Sequence, residues 1–199
     1  VRVRRALSLA INREQLVDKV TLGGQIPARG LTPSDTAGYT AGDMLHGDFA
    51  EARRLLAEAG FPGGEGFPEL EILFNTSDGH RRIAEAIQQM WRENLGINIG
   101  LYNQESKVQS NSMRDGDYTI ARMAWVGDYI DASTFLDLML SDSGNNQTGW
   151  ANDDYDRLVN EARYAIDPQA RFDLYREAEQ ILMDESPIAP IYFYVNSRL

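Results

Sequence analysis

The sequence predicts an α/β domain, because short apolar strands alternate along it with amphipathic helical segments. Residues 70–74 form one apolar run, and residues 97–101 alternate between apolar and polar side chains, as strands do. Between them, large apolar side chains recur at helical spacing: Ile83, Ile87, Met90 and Trp91. Hydrophobic residues make up 43% of the 199 positions, which is enough to build a core.

The N-terminal part of the chain predicts helices and one long loop. The first helix has a single apolar face, formed by Val3, Ala6, Leu7, Ala10 and Ile11. Asn12 is a suitable cap for a second helix. Residues 23–47 are rich in Gly, Pro, Thr and Ser and lack periodicity, which predicts a loop. Asp48 then opens a helix that Gly60 ends.

The central and C-terminal parts continue the alternation of helices and strands. The helix after the first strand begins at Ser77 or Asp78, continues to about Asn94 and ends at Gly96. Pro168, directly after Asp167, suits the first turn of a late helix. The remaining predicted elements are a helix over 107–114, a strand over 118–124, helices near 133–140, 153–165 and 168–184, and a final strand over 188–195.

Composition excludes several classes of function. The formal net charge is -11, from 30 acidic and 19 basic residues, so a nucleic acid would be repelled. The absence of cysteine excludes disulfides, thiol catalysis and thiolate metal sites. No apolar run approaches the roughly 20 residues that span a bilayer. There is no signal-peptide pattern, and Val1 opens the sequence, so we expect a mature or excised piece.

Four short stretches carry a specific resemblance, and they lie in order from one end of the chain to the other. They are residues 1–13 (VRVRRALSLAINR), 74–80 (FNTSDGH), 124–129 (AWVGDY) and 190–196 (PIYFYVN). Together they resemble the signatures of the bacterial oligopeptide/dipeptide solute-binding proteins of ABC transporters, family 5 of the extracellular solute-binding proteins.

This resemblance implies both a fold and a function. It implies the C-terminal lobe of a two-lobed periplasmic binding protein, with a mixed sheet flanked by helices. Residues 1–199 would be a single ligand-binding lobe of a longer protein, with the N-terminal lobe missing. A short peptide would be bound between the lobes and delivered to ABC permease subunits in the membrane. The implied location is the periplasm, or an extracytoplasmic lipoprotein, with no cofactor, metal or nucleic acid.

The resemblance also implies ligand-binding residues. Asp128 matches the position that holds the α-ammonium group of a peptide, a charge-assisted role that a carboxylate suits. Arg122 and His80 match positions that face a ligand carboxylate, which a guanidinium can bind in a planar fork. The residues alone leave other roles open: Asp128 as a turn residue, Arg122 in a surface salt bridge, and His80 as a solvated first-turn histidine.

Further candidates are weaker. Trp125 suits either a ligand pocket or the core, and Tyr129 and Asn145 lie in matching loops. His46 has no motif around it and is expected to be structural or exposed. Residues 192–194 are interpreted as strand core or lobe interface. Ser106 departs from the family, because some oligopeptide receptors have tryptophan at the matching position.

Other functions are less well supported by the sequence. The G-x-S-x-G and H-E-x-x-H patterns are absent, and two histidines leave little room for a serine triad, so an enzyme is not predicted. Within the same fold, the ligand could be nickel, haem, murein peptide or an opine instead of an ordinary peptide. A peptide-sensing, signalling or chaperone receptor would show the same sequence features.

Overall fold

The computed structural model describes residues 1–195, and these residues form two compact units. The first unit comprises Val1–Pro27, His46–Ala124 and Ile191–Leu199, of which residues 196–199, including Asn196 of the fourth motif, lie outside the described part. The second unit comprises Ala28–Leu45 and Trp125–Pro190. The prediction that the whole chain is one ligand-binding lobe stays a prediction.

The N-terminal part of the first unit is mostly helical. Its elements are α1 (Arg2–Leu9), α2 (Arg13–Leu16), a π-helix (Val17–Thr21), β1 (Ile26–Pro27) and α3 (Phe49–Glu58). The two predicted caps are confirmed. The Asn12 side chain accepts a hydrogen bond from the Gln15 amide at 2.9 Å, and the Asp48 side chain accepts from the amides of Ala50 and Glu51.

A parallel three-stranded sheet forms the centre of the first unit. Its elements are β2 (Leu70–Asn75), α4 (Asp78–Leu95), β3 (Ile99–Gln104), α5 (Ser106–Asp115) and β4 (Ile120–Ala121). The strand order is β3-β2-β4, and β2 pairs in parallel with both neighbours. Helix α4 connects β2 to β3, and α5 connects β3 to β4, as parallel pairing requires. A separate antiparallel pair joins β1 to β5 (Tyr192–Phe193).

Apolar side chains of the sheet and of α4 form the core of the first unit. The middle of β2, at Ile72, Leu73 and Phe74, is buried, as expected for a strand that is covered on both faces. Each such fully buried side chain contributes roughly 1.5–3 kcal/mol. Trp91 of α4 is also buried, and its indole N–H donates to the backbone oxygen of Leu7 at 2.8 Å. This bond ties α4 to α1.

The second unit is helical. Its elements are α6 (Ser133–Leu136), a 3-10 helix (Asp137–Met139), α7 (Asp153–Tyr164) and α8 (Pro168–Glu185). Pro168 lies in the first turn of α8 as predicted, and Asp167 caps the helix by accepting from the Ala170 amide at 3.0 Å. Buried residues of α7 and α8, among them Tyr155 and Leu182, form one apolar cluster.

Residues 28–45 form a loop that is closed at its base and fastened to α8. The amides of Met44 and Leu45 both donate to the Arg29 backbone oxygen at 3.0 Å, so the two ends of the loop meet. Glu179 of α8 is completely buried beneath the loop. Its carboxylate accepts from the Leu31 amide at 2.5 Å, the Thr32 amide at 2.9 Å and the Tyr39 hydroxyl at 2.9 Å.

The predicted α/β class is confirmed, whereas two predicted strands were too long. The strand predicted over 118–124 contains only Ile120–Ala121, and the one predicted over 188–195 contains only Tyr192–Phe193. β5 is short because its partner β1 has two residues, one of which, Pro27, lacks an amide N–H. The strand predicted at 97–101 begins at Ile99 and continues to Gln104, in register with all of β2.

Candidate functional site

The carboxyl edge of the parallel sheet gathers polar side chains from several elements of the first unit. β2 ends at Asn75, β3 ends at Gln104, and Arg122 directly follows β4. Helix α4 connects β2 to β3, which lies on one side of β2. Helix α5 then connects β3 to β4, which lies on the other side of β2. The strand order therefore reverses between β2 and β4. In open α/β sheets, ligands bind outside the carboxyl ends of the strands at such a point.

Arg122 is held at this edge by neutral groups. Its guanidinium donates to Asn75 Oδ1 at 3.3 Å and to the Tyr194 hydroxyl at 2.7 Å. Its backbone amide donates to the Leu73 oxygen at 2.7 Å, which fixes the residue at the end of the sheet. No ion pair involves Arg122 within residues 1–195, so the salt-bridge alternative is wrong for this part of the chain. A partly buried cation without an anion beside it is suited to bind one.

His80 lies in the first turn of α4, close enough to Arg122 for the two to interact electrostatically. Burial lowers the pKa of the imidazole, and the charge of Arg122 lowers the pKa further, against an opposing hydrogen bond with the Asn75 backbone. The ring nitrogen Nδ1 is buried and has no hydrogen-bond partner among the described residues. His80 is thus partly buried, and its surroundings favour the neutral form of the imidazole.

Asp128 lies in the second unit, in an irregular segment that follows residue 124. Its backbone amide donates to the Thr134 hydroxyl at 3.0 Å, while its exposed carboxylate makes no hydrogen bond or ion pair inside the described range. Asp131, rather than Asp128, bonds to the start of α6: it accepts from the Ser133 amide at 2.9 Å and pairs with Arg171 at 2.9 Å. The Asp128 carboxylate is therefore uncommitted, in the sense that no described residue forms a hydrogen bond or an ion pair with it.

The residues around Asp128 present an apolar surface. Trp125 packs on the core cluster of the second unit, and its Nε1 atom is buried without a partner in residues 1–195. Val126 is 80% exposed and Ile130 is 85% exposed, while the Tyr129 hydroxyl lies 3.1 Å from the Ser133 hydroxyl. A carboxylate flanked by exposed apolar side chains suits a ligand that carries both a cation and an apolar body.

Two further sequence candidates differ in their surroundings. Asn145 is exposed, and its backbone amide donates to the Ser143 hydroxyl at 3.4 Å. The neighbouring Asn146 is structural, because its side-chain amide donates to the backbone oxygens of Leu140 and Trp150. His46 is exposed, as expected.

Two residues of the carboxyl edge were not predicted as site residues. Asn75 and Tyr194 both hold the Arg122 guanidinium. Tyr194, interpreted as strand core or lobe interface, is not a core residue, because the side chain is 52% exposed and bonded to Arg122; its place at a lobe interface stays a prediction. A polar residue at the end of a buried strand, such as Asn75, was the available signal.

A surface groove of about 550 Å³ in the second unit contains none of the predicted site residues. It lies between the loop 28–45 and α8, and several of its charged side chains pair locally, such as Arg176 with Asp173 at 2.6 Å. The uncommitted charges at Arg122 and Asp128 are a stronger indication of binding than this open, acidic groove.

The α/β fold, with polar side chains gathered at the carboxyl edge of a parallel sheet, is typical of proteins that bind a solute there. The chain belongs to the bacterial extracellular solute-binding proteins, family 5, because the family described as "Bacterial extracellular solute-binding proteins, family 5 Middle" matches residues 1–147. The resemblance predicted from the four motifs is confirmed. No helix in residues 1–195 is long and apolar enough to cross a membrane, and no group of three or more metal-ligating side chains occurs there.

Similar proteins include receptors for different solutes. The periplasmic oligopeptide-binding protein OppA of Salmonella typhimurium is 39% identical over 205 residues, covering 100% of this chain and 38% of the relative. The probable deoxycholate-binding periplasmic protein YgiS of Escherichia coli is 37% identical, covering 97% of this chain and 37% of its own. Haemophilus influenzae OppA in complex with RPPGFSPFR superposes with a TM-score of 0.88 at 35% identity, covering 98% of this chain and 40% of that structure. The chain thus spans about 38% of the length of the relatives it matches.

Proposed function

We propose that this chain is the ligand-binding part of the receptor of a peptide ABC importer. The receptor binds short peptides and delivers them to permease subunits in the membrane. We place it in the periplasm, or outside the membrane as a lipoprotein, and assign it no catalytic activity. The observation that carries the proposal is the Arg122 guanidinium of the first unit, which lacks an ion-pair partner in residues 1–195. Within the second unit, the Asp128 carboxylate likewise makes no ion pair in the described residues.

Taken separately, each of these two groups has the chemistry to bind one end of a peptide. An ammonium group bound by Asp128 and a carboxylate bound by Arg122 would each form a charge-assisted hydrogen bond. Such bonds specify the chain ends and leave the side chains free to vary, which suits a receptor for many peptides. His80 would contribute to the carboxylate end, and Trp125, Tyr129 and Asn145 would contact the remainder of the ligand.

The relatives support the proposal and also offer an alternative. An oligopeptide-binding relative and a peptide-bound solved structure both cover nearly the whole chain. The relative named for deoxycholate favours a second candidate ligand, an apolar carboxylate without an ammonium group. Such a ligand would need Arg122 but not Asp128. The two functions therefore differ in their dependence on Asp128.

The decisive experiment combines a mutation with a modified ligand in the intact receptor. Asp128→Ala should weaken binding of peptides with a free amino terminus by roughly 3–5 kcal/mol, because an enclosed ammonium loses its counter-charge. N-acetylated peptides lack this charge, so they should bind the wild type weakly and lose little more on mutation. Isothermal titration calorimetry of the four combinations gives the interaction free energy.

Two controls complete this test. Asp142→Ala removes another exposed carboxylate of the same unit and should leave both affinities unchanged. Arg122→Ala should weaken peptides that end in a carboxylate more than the corresponding amides. Equal effects of Asp128→Ala on free and acetylated peptides would contradict the assignment of Asp128 to the peptide ammonium group. Tight binding of deoxycholate that is unchanged by Asp128→Ala but lost in Arg122→Ala would favour an apolar carboxylate as the ligand.

A further inference from the structure

We propose that Arg171 of α8 is a positioning residue for the ligand, and that it acts through Asp131 on residues 127–131, the segment that carries Asp128. In this role Arg171 need not touch the ligand. The inference rests on the proposed function, because it needs a ligand ammonium group at Asp128. It adds a residue outside the binding segment that determines how well the free amino terminus of a peptide is recognised.

The 127–131 segment is packed closely against α6. The Asp128 amide donates to the hydroxyl of Thr134, which is buried, at 3.0 Å. A Cβ atom at Gly127 would lie 2.9 Å from Thr134 Cγ2 and 3.2 Å from Phe135 Cζ, so the backbone lies nearer to α6 than a side chain would allow. The first part of the segment is therefore held by backbone contacts with one helix.

A chain of hydrogen bonds connects the second part of the segment with α8. Asp131 Oδ1 accepts from the Ser133 hydroxyl at 2.8 Å and from the Arg171 guanidinium at 2.9 Å. A serine hydroxyl has a single proton to donate. Because Ser133 gives this proton to Asp131, the Tyr129 hydroxyl at 3.1 Å is the donor to Ser133 Oγ. The orientation of the Tyr129 hydroxyl therefore depends on the place at which Arg171 holds Asp131.

Arg171 is itself held by the core of the second unit. Its guanidinium donates to the Tyr175 hydroxyl at 3.0 Å and lies 5.2 Å from the centroid of the Tyr175 ring. Tyr175 is completely buried. In the ion pair with Asp131, the side chain of Arg171 is 30% exposed and that of Asp131 is 21% exposed, so the pair is screened less than a surface pair would be. The chain of hydrogen bonds thus begins at a fixed point.

Loss of Arg171 would release this part of the segment. Asp131 would then be a partly buried carboxylate without its counter-charge, and it would gain by turning toward water. The Asp131 amide donates to the Tyr129 backbone oxygen at 3.1 Å, so the movement reaches the backbone beside Asp128. A peptide would then have to order the segment as it binds, which lowers affinity. The loss falls on the ligand ammonium group, because Asp128 is the group that binds it.

Calorimetry of the intact receptor with trialanine and N-acetyltrialanine tests this role. Arg171→Met should weaken trialanine about tenfold and N-acetyltrialanine less than about threefold, so selectivity for the free amino terminus falls. Arg171→Lys keeps a cation that can pair with Asp131 and should restore most of the selectivity. Ser133→Ala breaks the chain but keeps the ion pair, and it should lower the selectivity in the same direction. Arg176→Met is the matched control, because Arg176 of the same helix pairs with Asp173 instead.

The outcomes separate the two proposals. Equal losses for both peptides in Arg171→Met would show a merely structural role and overturn the inference, as would an unchanged selectivity or a failure of Arg171→Lys to restore it. The proposed function stands in these cases if Asp128→Ala still discriminates between the two peptides. If the wild type binds neither peptide, both proposals fall. If Arg171→Met does not fold, Ser133→Ala decides: a lowered selectivity supports the inference, and an unchanged one refutes it.

Discussion

Replacing Glu179 with leucine tests how the loop 28–45 is held to α8. The substitution removes the acceptors of three donors: the amides of Leu31 and Thr32 and the hydroxyl of Tyr39. Thr32 and Tyr39 are buried, so water cannot replace the acceptor there, whereas Leu31 is partly accessible. Each buried donor left unsatisfied costs about 1–3 kcal/mol.

A second effect reduces this cost. Leucine is apolar, so the mutant no longer buries a carboxylate, whose desolvation offsets part of the hydrogen bonding. We therefore expect Glu179→Leu to lower the free energy of unfolding by about 2–4 kcal/mol. Glu179→Gln is the matched control, because its amide oxygen can still accept both backbone amides and its nitrogen can donate to the Tyr39 oxygen. We expect the control to cost about 1 kcal/mol or less.

Urea unfolding followed by tryptophan fluorescence measures both variants. A double-mutant cycle that combines Tyr39→Phe with Glu179→Leu should show an interaction free energy of roughly 1–2 kcal/mol, because the two side chains are hydrogen-bonded to each other. If Glu179→Leu and Glu179→Gln have equal midpoints, the loop is not held by these hydrogen bonds and the reasoning fails.

The buried Glu179 carboxyl also predicts how the stability of the fold depends on pH. Burial raises its pKa above the ordinary value of a glutamate, despite the opposing hydrogen bonds from Thr32, Tyr39 and Leu31. A carboxyl whose folded-state pKa is raised stabilises the fold fully below its unfolded-state pKa, and this contribution is lost as pH rises through the folded-state pKa. As pH rises above about 4.5, the free energy of unfolding of the wild type should therefore decrease relative to that of Glu179→Gln.

Two further substitutions test local features of the first unit. Gly64→Ala should lower the free energy of unfolding by about 2 kcal/mol or more, because its Cβ would lie 2.5 Å from the Gly96 oxygen. Gly63→Ala, at a similar positive φ but in open space, should cost less. Equal costs of the two variants in thermal unfolding would contradict the steric argument. Gln104→Met should keep or raise the melting temperature, because the Gln104 Oε1 atom is buried without a partner among the described residues. A clear decrease in the melting temperature would mean that the Gln104 amide makes a stabilising hydrogen bond after all.

Much of the fold follows from local signals in the sequence. The caps Asn12 and Asp48 were predicted from residue type and position, and each accepts the expected amides. Pro168 was placed correctly in the first turn of α8. Gly96 ends α4 in the left-handed region, with φ of 72°, as predicted. These features depend on neighbours within a few residues, so the sequence specifies them directly.

Strand lengths and the roles of site residues depend on distant partners. The run after residue 117 has strand character, but only Ile120 and Ala121 have partners in β2. Arg122 then directs its guanidinium to Asn75 and to Tyr194, the latter 72 residues away along the chain. Neither pairing is visible in local periodicity. Arg122 and His80 were named together through family resemblance, and their electrostatic interaction appears only in three dimensions.

The fastening of the loop 28–45 has a consequence for synthesis of the chain. Leu31 and its acceptor Glu179 are 148 residues apart. At about 5–20 residues per second, a ribosome needs roughly 7–30 s to make the intervening chain. Throughout that interval the amides of Leu31 and Thr32 lack the carboxylate that later binds them. The second unit therefore cannot complete its packing until almost all of this chain has been made, and its loop remains open to proteases and chaperones in the meantime.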